Sequence, residues 1–157
     1  MPVLTTGPFP RLSLSALAGG ERPLAASWEQ GEALIVLGHR NCKTTRETLP
    51  FVDRIHRRKG ADATVLAVLQ DDSETASTLV REQGFEMPVV LEADPYPLAA
   101  ALHLATVPTI FLVGRDGRIR KAVEGFDRAG LEGFAAVLGV QGPLFVPADN
   151  APAFKPG

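Results

Sequence analysis

The sequence predicts an α/β sandwich, with a mixed central sheet covered by helices on both faces. Three observations predict it. Short apolar runs rich in Val, Ile and Leu alternate with segments whose apolar residues recur every three or four positions. Glycine and proline, 15 and 13 of them, cluster between these segments. The last two apolar runs are joined by Arg115-Asp116-Gly117, a hairpin signal, so one pairing is antiparallel. A chain of 157 residues suits one domain that buries roughly two thirds of its unfolded surface.

Composition removes several function classes. A hydrophobic fraction of 45% excludes a disordered chain, and a single cysteine excludes a disulfide-stapled fold. A net charge of −2 argues against nucleic-acid binding, which needs a basic excess. No apolar run reaches the roughly 18 residues of a membrane span, and Met1 to Gly20 lacks the pattern of a secretory signal. The expectation is a protein of the cytoplasm without membrane contact.

Element by element, the first ten residues carry Pro2, Pro8 and Pro10 and suit an extended lead-in. Arg11 to Leu17 alternates and reads as a short edge strand, with Gly19-Gly20 turning into a partner over Arg22 to Ser27. Ala33 to Leu37 is continuously apolar, as expected of a strand buried on both faces. From Cys42 to Lys59 the period changes: Thr45, Leu49, Val52 and Ile55 share a face, Gly60 follows, and Pro50 predicts a kink. Thr64 to Leu69 is a second buried strand. Asp72 or Ser73 caps a helix to Gln83, which Gly84 ends. Met87 to Leu91 reads as a strand and Leu98 to Leu104 as a short helix. Thr109 to Val113 and Ile119 to Val123 flank the hairpin turn. Asp127 caps a last helix through Leu138, and the segment after Gly139, with Pro143, Pro147, Pro152 and Pro156, reads as a loosely attached tail.

The chemistry centres on Cys42, placed just after a buried strand and at the start of a helix. Helix N-termini present unpaired N–H groups and partial positive charge, which favour thiolate over thiol. Arg40, Lys43 and Arg46 add local positive charge, and Glu47 opposes it. A lone cysteine elsewhere would read as a small buried hydrophobe; this placement favours a reactive thiol. The three histidines are scattered, so no metal-site spacing exists and no metal or cofactor is expected. His39 reads equally as a proton donor beside the thiolate or as a solvated loop residue, whereas His56 falls in a basic, solvated helix face and His103 at a helix end.

The stretch from Leu34 through Gly38-His39-Arg40-Asn41-Cys42-Lys43-Thr44-Thr45 to Pro50 resembles the active-site segment of thioredoxin-fold redoxins. Cys42 falls on their attacking cysteine and Pro50 on their kinking proline. Ala105-Thr106-Val107-Pro108-Thr109 resembles the strand entry that carries their cis proline opposite that cysteine, and Arg115-Asp116-Gly117 their hairpin. Met87 to Asp94 followed by a short helix is similar to the TlpA-like, alkyl-hydroperoxide-reductase/thiol-specific-antioxidant branch. The resemblance covers about Arg11 to Gly139. It implies a thioredoxin-like three-layer α/β/α sandwich with an N-terminal β extension. The organisation is then a lead-in over 1–10, a redoxin domain over 11–139 and a proline-rich tail over 140–157. It also implies that the Val107–Pro108 bond is cis.

The departures from that pattern decide the function. Thr45 stands where the family keeps its resolving cysteine, Asn41 replaces the usual tryptophan, and Val36 replaces the buried acid. A disulfide within the chain is impossible. Three readings follow, in order. The first is a monothiol redox protein: Cys42 attacks disulfides or low-molecular-weight thiol adducts, with Thr45 and Arg40 assisting and Asn41, Lys43, Val107 and Pro108 contacting the substrate. Its partner is an external thiol reductant, glutathione-like or thioredoxin-like, or a disulfide-bearing protein. The second is a redox-inactive module that binds peptides along the backbone at Thr106-Val107. The third is a thiol peroxidase with an antioxidant role, for which Gln70 is a candidate donor. The expected assembly is a monomer or weak homodimer.

Overall fold

In the computed structural model, which describes residues 2–157, nine strands and four helices are present: β1 (Ser13–Ala16), β2 (Glu21–Pro23), β3 (Ala33–Gly38), α1 (Lys43–Arg58), β4 (Thr64–Leu69), α2 (Ser73–Gln83), β5 (Val89–Leu91), α3 (Pro97–Ala101), β6 (Thr109–Val113), β7 (Ile119–Glu124), β8 (Phe126–Asp127), α4 (Arg128–Val137) and β9 (Phe154–Lys155). Seven strands form one sheet in the order β2-β1-β5-β4-β3-β6-β7, and β8 pairs with β9 separately. β3, β4 and β5 run parallel, while β6 is antiparallel to β3 and β7 to β6. The mixed sheet expected from the alternation is therefore what forms.

The continuous apolar runs lie at its centre because both faces are covered. β3 is buried at every position. Leu34 and Val36 face Leu49, Val52 and Ile55 of α1, with Leu131 and Phe134 of α4. Ile35 and Leu37 face the opposite layer, built from Phe9, Leu24, Trp28 and Leu98. The helix caps follow local chemistry. The Asp72 carboxylate accepts the Thr75 N–H at 2.7 Å to open α2, and Gly84 closes it at φ 67°. The Asp127 carboxylate accepts the Gly130 N–H at 2.9 Å to open α4.

Three expectations are corrected. The Arg11–Leu17 strand is not an edge: β1 lies between β2 and β5, because the short β5 leaves a free side that Ser15 and Ala16 fill. Its partner stops at Pro23, and Leu24–Trp28 turns into a 3-10 helix that buries Leu24 and Trp28. Met87 lies outside β5 because its N–H, with that of Glu86, is drawn to the buried Asp53 carboxylate at 2.8 and 2.9 Å. The lead-in is extended, as expected, and it packs on the sheet, with Phe9 buried edge-on against Trp28 and Phe111 at 5.7 and 5.6 Å.

The largest correction concerns the tail. Residues 140–157 are docked, not loose. Leu144 and Phe145 are buried in the α1–α4 layer, with Phe145 4.7 Å from Phe51. Arg54 donates two hydrogen bonds to Asp149 at 2.8 and 3.0 Å. β9 then pairs with β8. Prolines punctuate the segment, but its apolar residues have a face to cover.

Candidate functional site

Cys42 is the N-cap of α1, with φ −88° and ψ 118°. Its backbone N–H donates to the His39 carbonyl, and its carbonyl accepts the Arg46 N–H. The tight turn from β3 thus fixes where the sulfur points. Sγ accepts the Thr45 backbone N–H at 3.4 Å, and the thiol donates to the Val107 carbonyl at 3.3 Å. The peptide bond that follows, Val107–Pro108, is cis, as the resemblance implied; Asp94–Pro95, unanticipated, is also cis. The Pro108 carbonyl accepts the Gly125 N–H at 2.8 Å, and Thr109 Oγ1 donates to the Thr106 carbonyl at 2.8 Å. Residues 65 positions apart in the chain therefore meet at one half-buried thiol.

Thr45 contributes differently from expectation. Its hydroxyl is fully buried without a hydrogen-bond partner, so the backbone N–H, not the side chain, meets the sulfur. The reason is the close approach of α1 to β3. A Cβ on Gly38 would come within 2.9 Å of Thr45 Oγ1, so the threonine side chain is packed against the strand.

The charged residues around Cys42 are turned to other partners. The Arg40 N–H donates to Asp71 at 3.0 Å and its carbonyl accepts from the Arg46 guanidinium, while its own side chain is exposed. Lys43 lies 3.8 Å from Glu47, on the exposed side of α1, and Asn41 is exposed in the turn. Gln70 donates to the buried Glu92 at 3.2 Å, which commits its amide away from the sulfur. Glu92 Oε1 in turn accepts the N–H groups of Leu98 and Ala99 and so caps α3. Val36, at the position of the family's buried acid, is wholly enclosed in the apolar layer. Beside the site, His39, Gln70, Ala99, Leu104, Thr106 and Val107 line a cleft of about 280 Å³. Among the described residues no cluster of His, Cys, Asp and Glu could hold a metal ion, and no helix is long and apolar enough to cross a membrane.

Sequence reasoning missed the residues that border the thiol from the C-terminal segment. Thr44 Oγ1 donates to the Pro156 carbonyl at 2.7 Å. Lys155 donates to both Glu47 oxygens, at 2.8 and 3.2 Å, and those bonds hold the Glu47 carboxyl below its usual range. Gly157 lies against Val107 and Thr106 so closely that a Cβ there would strike both. The signal available was the set Val140, Leu144 and Phe145, apolar residues spaced as a docking face within the proline-rich stretch.

No protein-family model matches the chain, and no curated protein matches it. Solved structures do. A Chlorobium tepidum protein described as thiol:disulfide interchange protein DsbE superposes with a TM-score of 0.75 at 19% identity, over 88% of this chain and 100% of that one. The thioredoxin domain of a Bacteroides vulgatus thiol-disulfide oxidoreductase superposes with a TM-score of 0.69 at 19% identity, over 80% and 91%. A secreted Mycobacterium tuberculosis disulfide oxidoreductase does so with a TM-score of 0.67 at 15% identity, over 82% and 96%. At these identities the likeness establishes the architecture.

Proposed function

For a chain with the thioredoxin fold and one cysteine, we propose a monothiol thiol–disulfide protein acting through Cys42. The observation that carries this reading is the seat of the sulfur. It caps α1, accepts the Thr45 N–H and faces the carbonyl before the cis proline, with Thr45 where a second sulfur would sit. The reaction is an exchange. Cys42 loses its proton to solvent and its sulfur attacks one sulfur of a disulfide; a new S–S bond forms and the old one breaks. The second sulfur leaves as thiolate and is protonated. With no internal thiol to displace the adduct, the mixed disulfide persists until an external thiol attacks it. The Thr45 N–H is placed to stabilise charge on Cys42 sulfur in both steps.

The partners of this reading are a glutathione-like or thioredoxin-like thiol and a disulfide-bearing protein, in a compartment that supplies reduced thiol, the cytoplasm. Within the fold it aligns the chain with the TlpA-like, thiol-specific-antioxidant branch. Incubation with oxidised glutathione tests it. One adduct mass is expected, absent in Cys42→Ser and reversed by free thiol. Thr45→Cys places a second thiol at the third residue of α1, where a closable pair becomes available, and should accelerate insulin reduction when coupled to an external reductant. No adduct in the parent protein and no gain in Thr45→Cys would overturn the redox reading. They would favour the second one, a peptide-binding module, which the engagement of the Val107 carbonyl face by the chain's own C-terminal segment supports.

A further inference from the structure

The C-terminal segment does not merely pass near Cys42; it lies on the face that a disulfide-bearing partner must reach. We propose that Phe154 to Gly157 form an intramolecular strap over this docking face, and that a bulky partner gains Cys42 only when the strap lifts. The proposal rests on Cys42 being the reacting group, as read above.

Four separate contacts hold the strap, and two of them fall on close neighbours of Cys42, Thr44 on α1 and Val107 across the site. β9 pairs antiparallel with β8, Phe126 opposite Lys155 and Asp127 opposite Phe154. The pairing is so close at the preceding turn that a Cβ on Gly125 would strike the Lys155 carbonyl. That same Gly125 donates its N–H to Pro108, so the strap is laid on the turn that braces the cis-proline loop. Next, Lys155 spans to Glu47 on α1 at 2.8 Å. The Pro156 carbonyl accepts from Thr44, two residues after Cys42, at 2.7 Å. Finally Gly157 abuts the Val107 carbonyl, the group to which the Cys42 thiol donates.

The chemistry of these contacts makes the strap releasable. Only two residues pair in β9, and one strap residue, Phe154, is exposed although apolar. The Lys155–Glu47 pair is part-exposed, with side chains 40% and 33% accessible, so its contribution is small and screened by salt. The remainder of the tail is fastened independently by Arg54–Asp149 and the Phe51–Phe145 packing. Release of 154–157 therefore need not unfold the rest. The strap's own features also describe its competitor: an extended peptide with a basic residue to meet Glu47 and a small residue at Val107.

Two maleimides of identical chemistry and different size test the strap: N-ethylmaleimide and a polyethylene-glycol maleimide, each adding to the Cys42 thiol without a leaving group. The rate ratio of large to small probe reports cover, independent of how reactive the thiol is. Lys155→Glu should raise that ratio at least about threefold, and truncation after Ala153 should raise it further. The charge-swapped pair Glu47→Lys with Lys155→Glu should return it toward the parent value. Added salt should raise the ratio in the parent and leave the truncated chain unchanged. A ratio unaltered by both Lys155→Glu and truncation, with thermal unfolding showing both chains folded, would overturn the strap. So would an equal rise for both probes, which reports a changed thiol instead of an uncovered one. Failure of the glutathione adduct in every variant would instead sink the redox reading while the probe ratio still judged the strap.

Discussion

At Thr45 the backbone and the side chain serve different ends. The N–H reaches the Cys42 sulfur, while the hydroxyl is sealed against Gly38 with no partner. A buried, unpaired hydroxyl costs about 1 kcal/mol or more relative to an apolar group of the same shape. Thr45→Val should therefore raise stability by about 1 kcal/mol, read from the midpoint of denaturant unfolding, and keep glutathione adduct formation, since the N–H remains. A loss of adduct in Thr45→Val would mean that the hydroxyl, not the backbone, serves the sulfur. Peroxide chemistry depends on side chains as well. Gln70 is committed to Glu92, and Arg40 reaches its neighbours through its backbone. Oxidation of Cys42 by hydrogen peroxide should then proceed near the rate of an ordinary thiol at the same pH; stopped-flow rates orders of magnitude faster would restore the peroxidase reading. The place of Cys42 at a strand-to-helix junction was legible as a local signal, and the cis bond before Pro108, beside the carbonyl that Cys42 meets, was implied by the redoxin resemblance. The direction of the Thr45 hydroxyl was not legible, because it depends on how closely α1 approaches β3.

Among the elements, those with strict local chemistry were readable to the residue. β4 and β6 have the bounds the apolar runs gave, and α2 begins and ends at the Asp72 and Gly84 signals. Those settled by distant groups were not. β5 starts late because Asp53, buried on α1, claims the N–H groups of Glu86 and Met87 and holds the Arg57 guanidinium at 2.9 Å. Nothing near Met87 in the sequence announces this. Asp53→Ala would leave two N–H groups short of their acceptor, one of them buried, at roughly 3 kcal/mol. Calorimetry should show a lower melting temperature. Asp53→Asn, which keeps one acceptor oxygen, should lose less. Equal losses would assign the effect to the Arg57 charge instead. His56, read as solvated, is half-buried on the same helix; burial first, and then Lys59, holds its imidazolium form below the usual range.

Across the whole molecule, the tail is where the local reading failed most. Its prolines suggested a free segment, whereas the fold uses it to finish the α1–α4 layer. Its fastening depends on ionised carboxylates. The two Arg54 bonds hold the Asp149 carboxyl at about 2, and Lys155 holds Glu47 below its usual range. A depressed carboxyl contributes stability that is complete above the ordinary carboxylate value of about 4 and is lost as pH falls through the folded value. Acidification from about pH 5 toward 2 should therefore loosen residues 146–157 before the central sheet, seen as falling NMR order parameters in the tail alone. Asp149→Asn should loosen the same segment at neutral pH. A tail that stays ordered at pH 2 would assign its attachment to Phe145 and Leu144 packing.

The order of the main sheet has a further consequence, for crowded solution. A seven-stranded sheet that does not close leaves two edge strands, β2 and β7, and the lead-in already covers the start of β7, where the Gly7 carbonyl accepts the Ile119 N–H at 2.7 Å. Both edges are poor templates. β2 is three residues long and ends in proline, which has no N–H to offer. β7 carries exposed Arg120, Lys121 and Glu124, so a second copy laid alongside would strip charged side chains of water. The chain thus keeps strongly apolar strands at its centre while its rims resist the edge-to-edge growth that leads to fibres.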